Sequence, residues 1–172
     1  MHRAGFVNIL GKPNMGKSTL LNALFGEKLA IVTPKAQTTR HRMIAVYNEE
    51  QYQIVFSDTP GIIVNPHYKM QESMMKELKP ALEDADTFLW ITDCKDRGEM
   101  LEEQLTAISK SETPVLVLIN KIDLASSTEL EETVNFWHNT WPRAEILPIS
   151  ATEKANLDLI VPKLKSWLPE NP

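Results

Sequence analysis

An internal disulfide is excluded from the outset, because the 172 residues contain one cysteine, Cys94. The same scarcity removes any cysteine-built metal site and fits a reduced compartment. No apolar run approaches the roughly 20 residues of a membrane span. The first run, Phe6–Leu10, is too short for a signal peptide and breaks at Gly11-Lys12. A cytoplasmic location is the expectation, with peripheral contact with a membrane left open. Basic residues are outnumbered, 18 Lys and Arg against 23 Asp and Glu, for a net charge of -5. Such a surface has no general attraction for nucleic acid. Repeats and low-complexity tracts are missing too, and the length suits one domain with a substantial core.

Glycine is also scarce, six residues in all, so its placement is informative. Gly11-Lys12-Pro13-Asn14-Met15-Gly16-Lys17-Ser18 reads G-x-x-x-x-G-K-S directly after Phe6–Leu10. A buried strand, a tight glycine turn and a helix with unpaired N-terminal N–H groups make a P-loop, which binds anions. Gly11 and Gly16 let the backbone turn tightly and approach phosphate oxygens. Lys17 can reach the β- and γ-phosphates, and the Ser18 hydroxyl can take one position on Mg²⁺. Lys12, Pro13, Asn14, Met15 and Thr19 complete the expected nucleotide-binding segment.

Apolar runs alternate with longer amphipathic stretches, the pattern of an α/β fold. Strands are predicted at Phe6–Leu10, Arg42–Tyr47, Tyr52–Ser57, Thr87–Thr92, Val115–Ile119 and Glu145–Ile149. Only Asn48-Glu49-Glu50-Gln51 separates the second from the third, which permits an antiparallel hairpin and no crossover. The expectation is a six-stranded, mostly parallel sheet with one antiparallel strand and helices on both faces. Helices fit Ser18–Leu24, Met70–Lys79, Met100–Ser109, Glu129–Asn139 and Leu157–Leu168. Ser126 and Glu129 form a capping-box pair at the start of the fourth. Pro80 should end or bend the second helix, and Pro162 predicts a kink or a late start in the fifth. The stretch from Glu27 to Arg40 lacks clear periodicity, and a loop of that length points to function. Residues 1–168 read as one domain, and 169–172 have the composition of a linker.

Two further motifs follow strands. Asp58-Thr59-Pro60-Gly61 closes the third, on the ligand side of such a sheet. There Asp58 can hold Mg²⁺ through water, and the Gly61 N–H can meet a γ-phosphate. Asn120-Lys121-Ile122-Asp123 follows Val115–Ile119. Guanine presents N1–H and its 2-amino group as adjacent donors, and the Asp123 carboxylate can accept both. Adenine lacks that pair. Lys121 can lie along the base, Asn120 can tie this loop to the P-loop, and Ser150-Ala151-Thr152 can offer the Ala151 N–H to guanine O6.

In this order the motifs resemble the GTPase branch of the P-loop proteins, with a Ras-like G domain. The P-loop followed by Thr19-Leu20-Leu21-Asn22 is similar to that of bacterial ribosome-biogenesis GTPases. Lys35-Ala36-Gln37-Thr38-Thr39-Arg40-His41-Arg42 resembles switch I of the Era family; Der and MnmE GTPases usually have Asp where this chain has His41. The resemblance implies a GTP/GDP switch that hydrolyses GTP slowly, with Thr39 (Thr38 as fallback) joining Ser18 and Asp58 on Mg²⁺. It implies a monomer whose C-terminal KH domain, absent from these residues, contacts small-subunit ribosomal RNA and the pre-30S particle. Ile62 stands where Ras-like enzymes place a water-orienting Gln, so catalysis would draw on Lys17, Thr39, the Gly61 N–H and Asn14. Asn14 is a candidate ligand for K⁺, together with carbonyls around Thr33–Gln37, and K⁺ would offset charge in the transition state. The rival readings are a GTP-dependent binding module with negligible turnover and the G domain of a Der- or MnmE-type GTPase.

Other conspicuous residues read as packing or solvated surface. Trp90 belongs to a strand, and Trp137, Trp141 and Trp167 to helix faces or ends. His67 and His138 lack metal-ligand spacing. The Lys35–Arg42 basic cluster reads as a solvated loop, and Met70, Met74 and Met75 as a core-facing helix side.

Overall fold

The computed structural model describes residues 2–12, 14–32, 43–58 and 85–171, with the side chains of 31, 32, 43, 44, 58 and 171 outside that description. The expected helix Met70–Lys79 with Pro80, and also Pro13, Thr39, Gly61, Ile62 and His67, lie outside the described residues.

Strands form at β1 (His2–Leu10), β2 (Leu29–Val32), β3 (Met43–Asn48), β4 (Tyr52–Asp58), β5 (Thr87–Asp93), β6 (Val115–Asn120), β7 (Glu145–Pro148) and β8 (Glu170–Asn171). The helices are α1 (Lys17–Phe25), α2 (Glu102–Lys110), α3 (Ser127–Thr140) and α4 (Ile160–Ser166). The sheet order is β2-β3-β4-β1-β5-β6-β7, with β8 paired to β1. β1 is parallel to β4 and β5, and β5–β6 and β6–β7 are parallel as well. β3 runs antiparallel to β4, as the short turn between them demands, and also to β2.

Among the described residues the sheet therefore has eight strands rather than six. β2 is a four-residue edge strand inside the stretch that shows no periodicity. β8 lies in the expected linker, where Glu170 and Asn171 pair antiparallel with Arg3 and His2. β8 is thus a second strand running against its neighbour.

Strand alternation divides the interior. On β5, Leu89 and Ile91 join Leu116 and Leu118 of β6 on one face, under Leu20 and Phe25 of α1 and Ile160 and Leu164 of α4. Phe88 and Trp90 join Val115, Val117 and Ile119 on the other, under Ile108 of α2 and Trp137 of α3. Helices cover both faces because Phe88–Ile91 of β5 and Val115–Ile119 of β6 are unbroken apolar runs, the signature of strands buried on both sides. Trp90 and Trp137 are fully buried and Trp141 nearly so, each at home in the core. Trp167 packs half-buried against the first core, and His138 is exposed.

Local signals set the helix ends. The Ser126 side chain accepts from the Glu129 N–H, and the Glu129 side chain accepts from the Ser126 N–H, a complete capping box on α3. The last helix starts late, after a 3₁₀ turn at Leu157–Leu159. Pro162 is then its third residue, where a missing N–H costs no helical bond.

β1 is the strand at which the winding reverses, with β4 on one side and β5 on the other. Open α/β sheets bind ligands outside the carboxyl ends of strands at such a point. Gly11 begins there.

Candidate functional site

The turn after β1 has Gly11, Asn14 and Gly16 at φ of 127°, 68° and 91°. A Cβ on Gly11 would stand 2.3 Å from the Ile91 carbonyl oxygen, and one on Gly16 would stand 2.3 Å from Asn120 Nδ2. Both glycines are thus required twice, by backbone conformation and by close packing. Gly16 is the N-cap of α1 and has no side chain with which to cap it, and no acidic residue occupies the first turn. The positive end of the helix dipole is left for an external anion.

Asn120 joins three segments. Its Nδ2 donates to the Met15 carbonyl at 2.8 Å, and its Oδ1 accepts from the Ala151 N–H at 3.0 Å. Lys121 adopts φ 61° and its Nζ donates to the Asn14 carbonyl at 2.8 Å. Asp123 is exposed, and its Oδ1 accepts from Ser150 Oγ at 2.8 Å. Ser150 Oγ in turn accepts from the Glu153 N–H at 3.1 Å, and Ser150 and Ala155 exchange backbone bonds that close the loop. These contacts fix the carboxylate from behind while leaving it open to solvent.

The expected segments 11–19, 120–123 and 150–152 thus meet at one end of the sheet. Ser18, Thr19 and Thr152 are exposed there, and Lys17 is half-buried as the first residue of α1. Asp58 ends β4 beside Ile9 of β1, one strand away from the P-loop. The Ala151 N–H already has an internal partner, Asn120 Oδ1, that the sequence does not announce.

The sequence motifs give no sign of the carboxylates of the β5–α2 connection. Lys12 Nζ lies 3.0 Å from Asp96 Oδ1 and 2.7 Å from Glu99 Oε2. Burial works against the Lys12 ammonium, but Glu99 and Asp96 outweigh it and raise its pKa above the ordinary lysine value. The hydrogen bond from Lys12 holds Glu99 down at about 2. Asp93 Oδ2 lies 3.8 Å from Lys121 Nζ. The available signal was position: these acids follow an apolar strand at its carboxyl end, on the ligand side of the sheet.

Residues 6–121 match the family model described as 50S ribosome-binding GTPase. The chain belongs to the 50S ribosome-binding GTPase family. The chain is 41% identical to GTPase Era of Alkaliphilus metalliredigens over 175 residues, covering 99% of the chain and 58% of that protein. A crystal structure of a variant of Aquifex aeolicus Era bound to GDP and AlF4⁻ matches with a TM-score of 0.74 and 39% identity, over 99% of this chain and 58% of that one. Era in complex with MgGDPNP and a segment of 16S ribosomal RNA matches with a TM-score of 0.75 and 39% identity, over 100% and 59%. The fold is the Ras-like G domain read from the motifs, and the Era resemblance of the switch I sequence is met by relatives along the whole chain. The chain spans under three fifths of the length of these relatives. Among the described residues, no helix is long and apolar enough to cross a membrane.

Proposed function

We propose that this chain binds GTP and GDP with Mg²⁺ and hydrolyses GTP slowly, as the G domain of an Era-type switch. The observation that carries the reading is the Asn120 bridge. One buried side chain holds the P-loop through Met15 and the 150–152 loop through Ala151, with Asp123 poised beside them. The P-loop fits an anion because its helix end is uncapped and its first turn carries no acid.

In this reading Gly11, Lys12, Pro13, Asn14, Met15, Gly16 and Thr19 wrap the phosphates, and Lys17 neutralises the β- and γ-oxygens. Asp123 accepts from guanine N1–H and the 2-amino group, while the Ala151 N–H is shared between Asn120 and O6. Lys121 lies along the base, and Ser150 and Thr152 hold its edge. Ser18, Thr39 and Asp58 would hold Mg²⁺, a hard ion that suits a hydroxyl, a carboxylate and phosphate oxygens in place of a cage of protein ligands. When bound, that ion supplies charge stabilisation for phosphoryl transfer. The Gly61 N–H reports the γ-phosphate. Asn14, exposed and left-handed, would hold K⁺ in place of an arginine finger.

Small-subunit ribosomal RNA, present in one solved Era complex, and the pre-30S particle are proposed as partners of the whole protein, through a KH domain beyond residue 172. The net charge of -5 supports placing that contact outside these residues. A cytoplasmic monomer is the corresponding state.

The test is phosphate release from GTP in Mg²⁺, compared in K⁺ and Na⁺ at equal ionic strength, alongside titration with fluorescent GDP. Lys17→Ala should weaken binding at least about tenfold, one lost charge-assisted contact. Asp123→Asn should exchange guanine preference for xanthine, and Asn14→Ala should abolish any K⁺ advantage. Full guanine affinity in Asp123→Asn would overturn the base assignment.

A further inference from the structure

Residues 93–99, between β5 and α2, carry three carboxylates that the nucleotide motifs do not include. Together they grip two lysines from two different loops of the site, Lys12 and Lys121. Asp96 has a side chain only 3% exposed, and a carboxylate so buried must be satisfied. It is held by β5 and by its own connection: Thr92 Oγ1 donates to Oδ2 at 2.6 Å and the Gly98 N–H to Oδ1 at 2.9 Å. The anchor is therefore built independently of the P-loop. Lys12 Nζ reaches it at 3.0 Å and adds Glu99, itself held by the Arg97 N–H at 3.1 Å. At the other end of the segment the Lys95 N–H fixes Asp93 at 2.9 Å, and Asp93 faces Lys121, whose Nζ holds the Asn14 carbonyl.

We propose that Asp96, assisted by Glu99, is the positioning residue of the P-loop, holding it through Lys12 in the conformation that receives nucleotide. This rests on the guanine-nucleotide reading above. The Lys12 charge is already engaged by two carboxylates, so its contribution is geometric. The Gly11 backbone abuts Ile91 of β5, and the next residue is tied to the segment leaving that same strand. The root of the loop is thereby fixed to β5 from two directions, and bound nucleotide is released slowly because the loop is preorganised.

Direct electrostatics and positioning predict opposite signs. If Lys12 acted on phosphate by its charge, Asp96→Asn would remove a competing anion and tighten GDP. If Asp96 positions the loop, the same change loosens it. The experiment follows release of fluorescent mant-GDP from the whole chain by stopped flow, with Mg²⁺ present. Asp96→Asn and Lys12→Met should each speed release about five- to twentyfold, the loss of one charge-assisted bond. The double variant should be no worse than the stronger single one, since both break one linkage. Lys12→Arg, which keeps the cation, should restore most of the loss. Glu99→Gln, at a half-exposed position that does not endanger folding, should speed release by about two- to threefold. Slower release in Asp96→Asn, additive single variants, or unchanged release in Glu99→Gln together with Lys12→Met would overturn the proposal. Failure of the unaltered chain to bind mant-GDP would instead overturn the nucleotide reading on which it rests.

Discussion

Replacing Asn120 with alanine removes a side chain that joins the P-loop to the 150–152 loop. Asn120 is 2% exposed, and its amide makes bonds of 2.8 Å to the Met15 carbonyl and 3.0 Å from the Ala151 N–H. Two neutral hydrogen bonds contribute about 1 kcal/mol each, and the stranded Ala151 N–H, itself buried, adds its desolvation, for a total of about 2–4 kcal/mol. In a domain of this size that corresponds to a thermal midpoint lower by roughly 5–15 °C. The lesion also uncouples the two loops on which guanine depends, so GDP affinity should fall by about ten- to a hundredfold, half or more of the same free energy. Calorimetry gives the first quantity and mant-GDP titration the second. Asn120→Asp sharpens the result. It keeps an acceptor for the Ala151 N–H but sets an oxygen against the Met15 carbonyl, so it should rescue neither measurement fully. A midpoint for Asn120→Ala within about 2 °C of the unaltered chain would refute the bridge as a source of stability.

Ser126→Ala deletes the acceptor of the α3 capping box and should cost about 1 kcal/mol by denaturant unfolding, with Ser126→Asp retaining most of it. Trp137→Ala empties a fully buried site between Trp90 and Trp141 and should cost about 3–5 kcal/mol in the same assay. Glu99 titrates at about 2 when folded against an ordinary 4.5, so its ion pair stabilises the fold fully above about pH 4.5 and is lost as pH falls toward 2. Its side chain is 57% exposed, so the effect on stability should stay below about 1 kcal/mol. Carbon-detected NMR titration should show the low midpoint, and Lys12→Met should return it toward 4.5.

Much of the fold could be read in advance because its elements carry their own signals. β5 and β6 are unbroken apolar runs, the β3–β4 hairpin follows from the length of one turn, and Ser126 with Glu129 marks a helix start. The P-loop and Asn120–Asp123 were legible because phosphate and guanine impose fixed residue types at fixed spacing. β2 was hidden because Leu29–Val32 is a four-residue run without alternation, formed only when β3 offers its edge. β8 was hidden because two residues have no period, and its pairing comes from the backbone of His2 and Arg3. Lys12 and Glu99 are 87 residues apart, and charged residues in loops announce no partner until the fold brings them together. The same holds for Ala151, whose N–H found an internal acceptor that spacing alone could not reveal.

The division of the interior by the sheet has an optical consequence. Trp90, Trp137 and Trp141 lie on one face with ring centroids 5.2–5.7 Å apart. Indoles at such separations couple electronically through their strong far-ultraviolet transition, so the trio adds an exciton feature to the far-ultraviolet circular dichroism. Trp167 stands on the opposite face, packed against the other core with Lys163 Nζ 5.9 Å above its ring. Its fluorescence samples a different helix, a different half of the interior and a nearby cation. Loosening of the α2–α3 face dims the dichroism of the trio, whereas loosening of the α1–α4 face shifts the emission of Trp167. The two sides of one sheet are therefore separately visible in a single unlabelled sample.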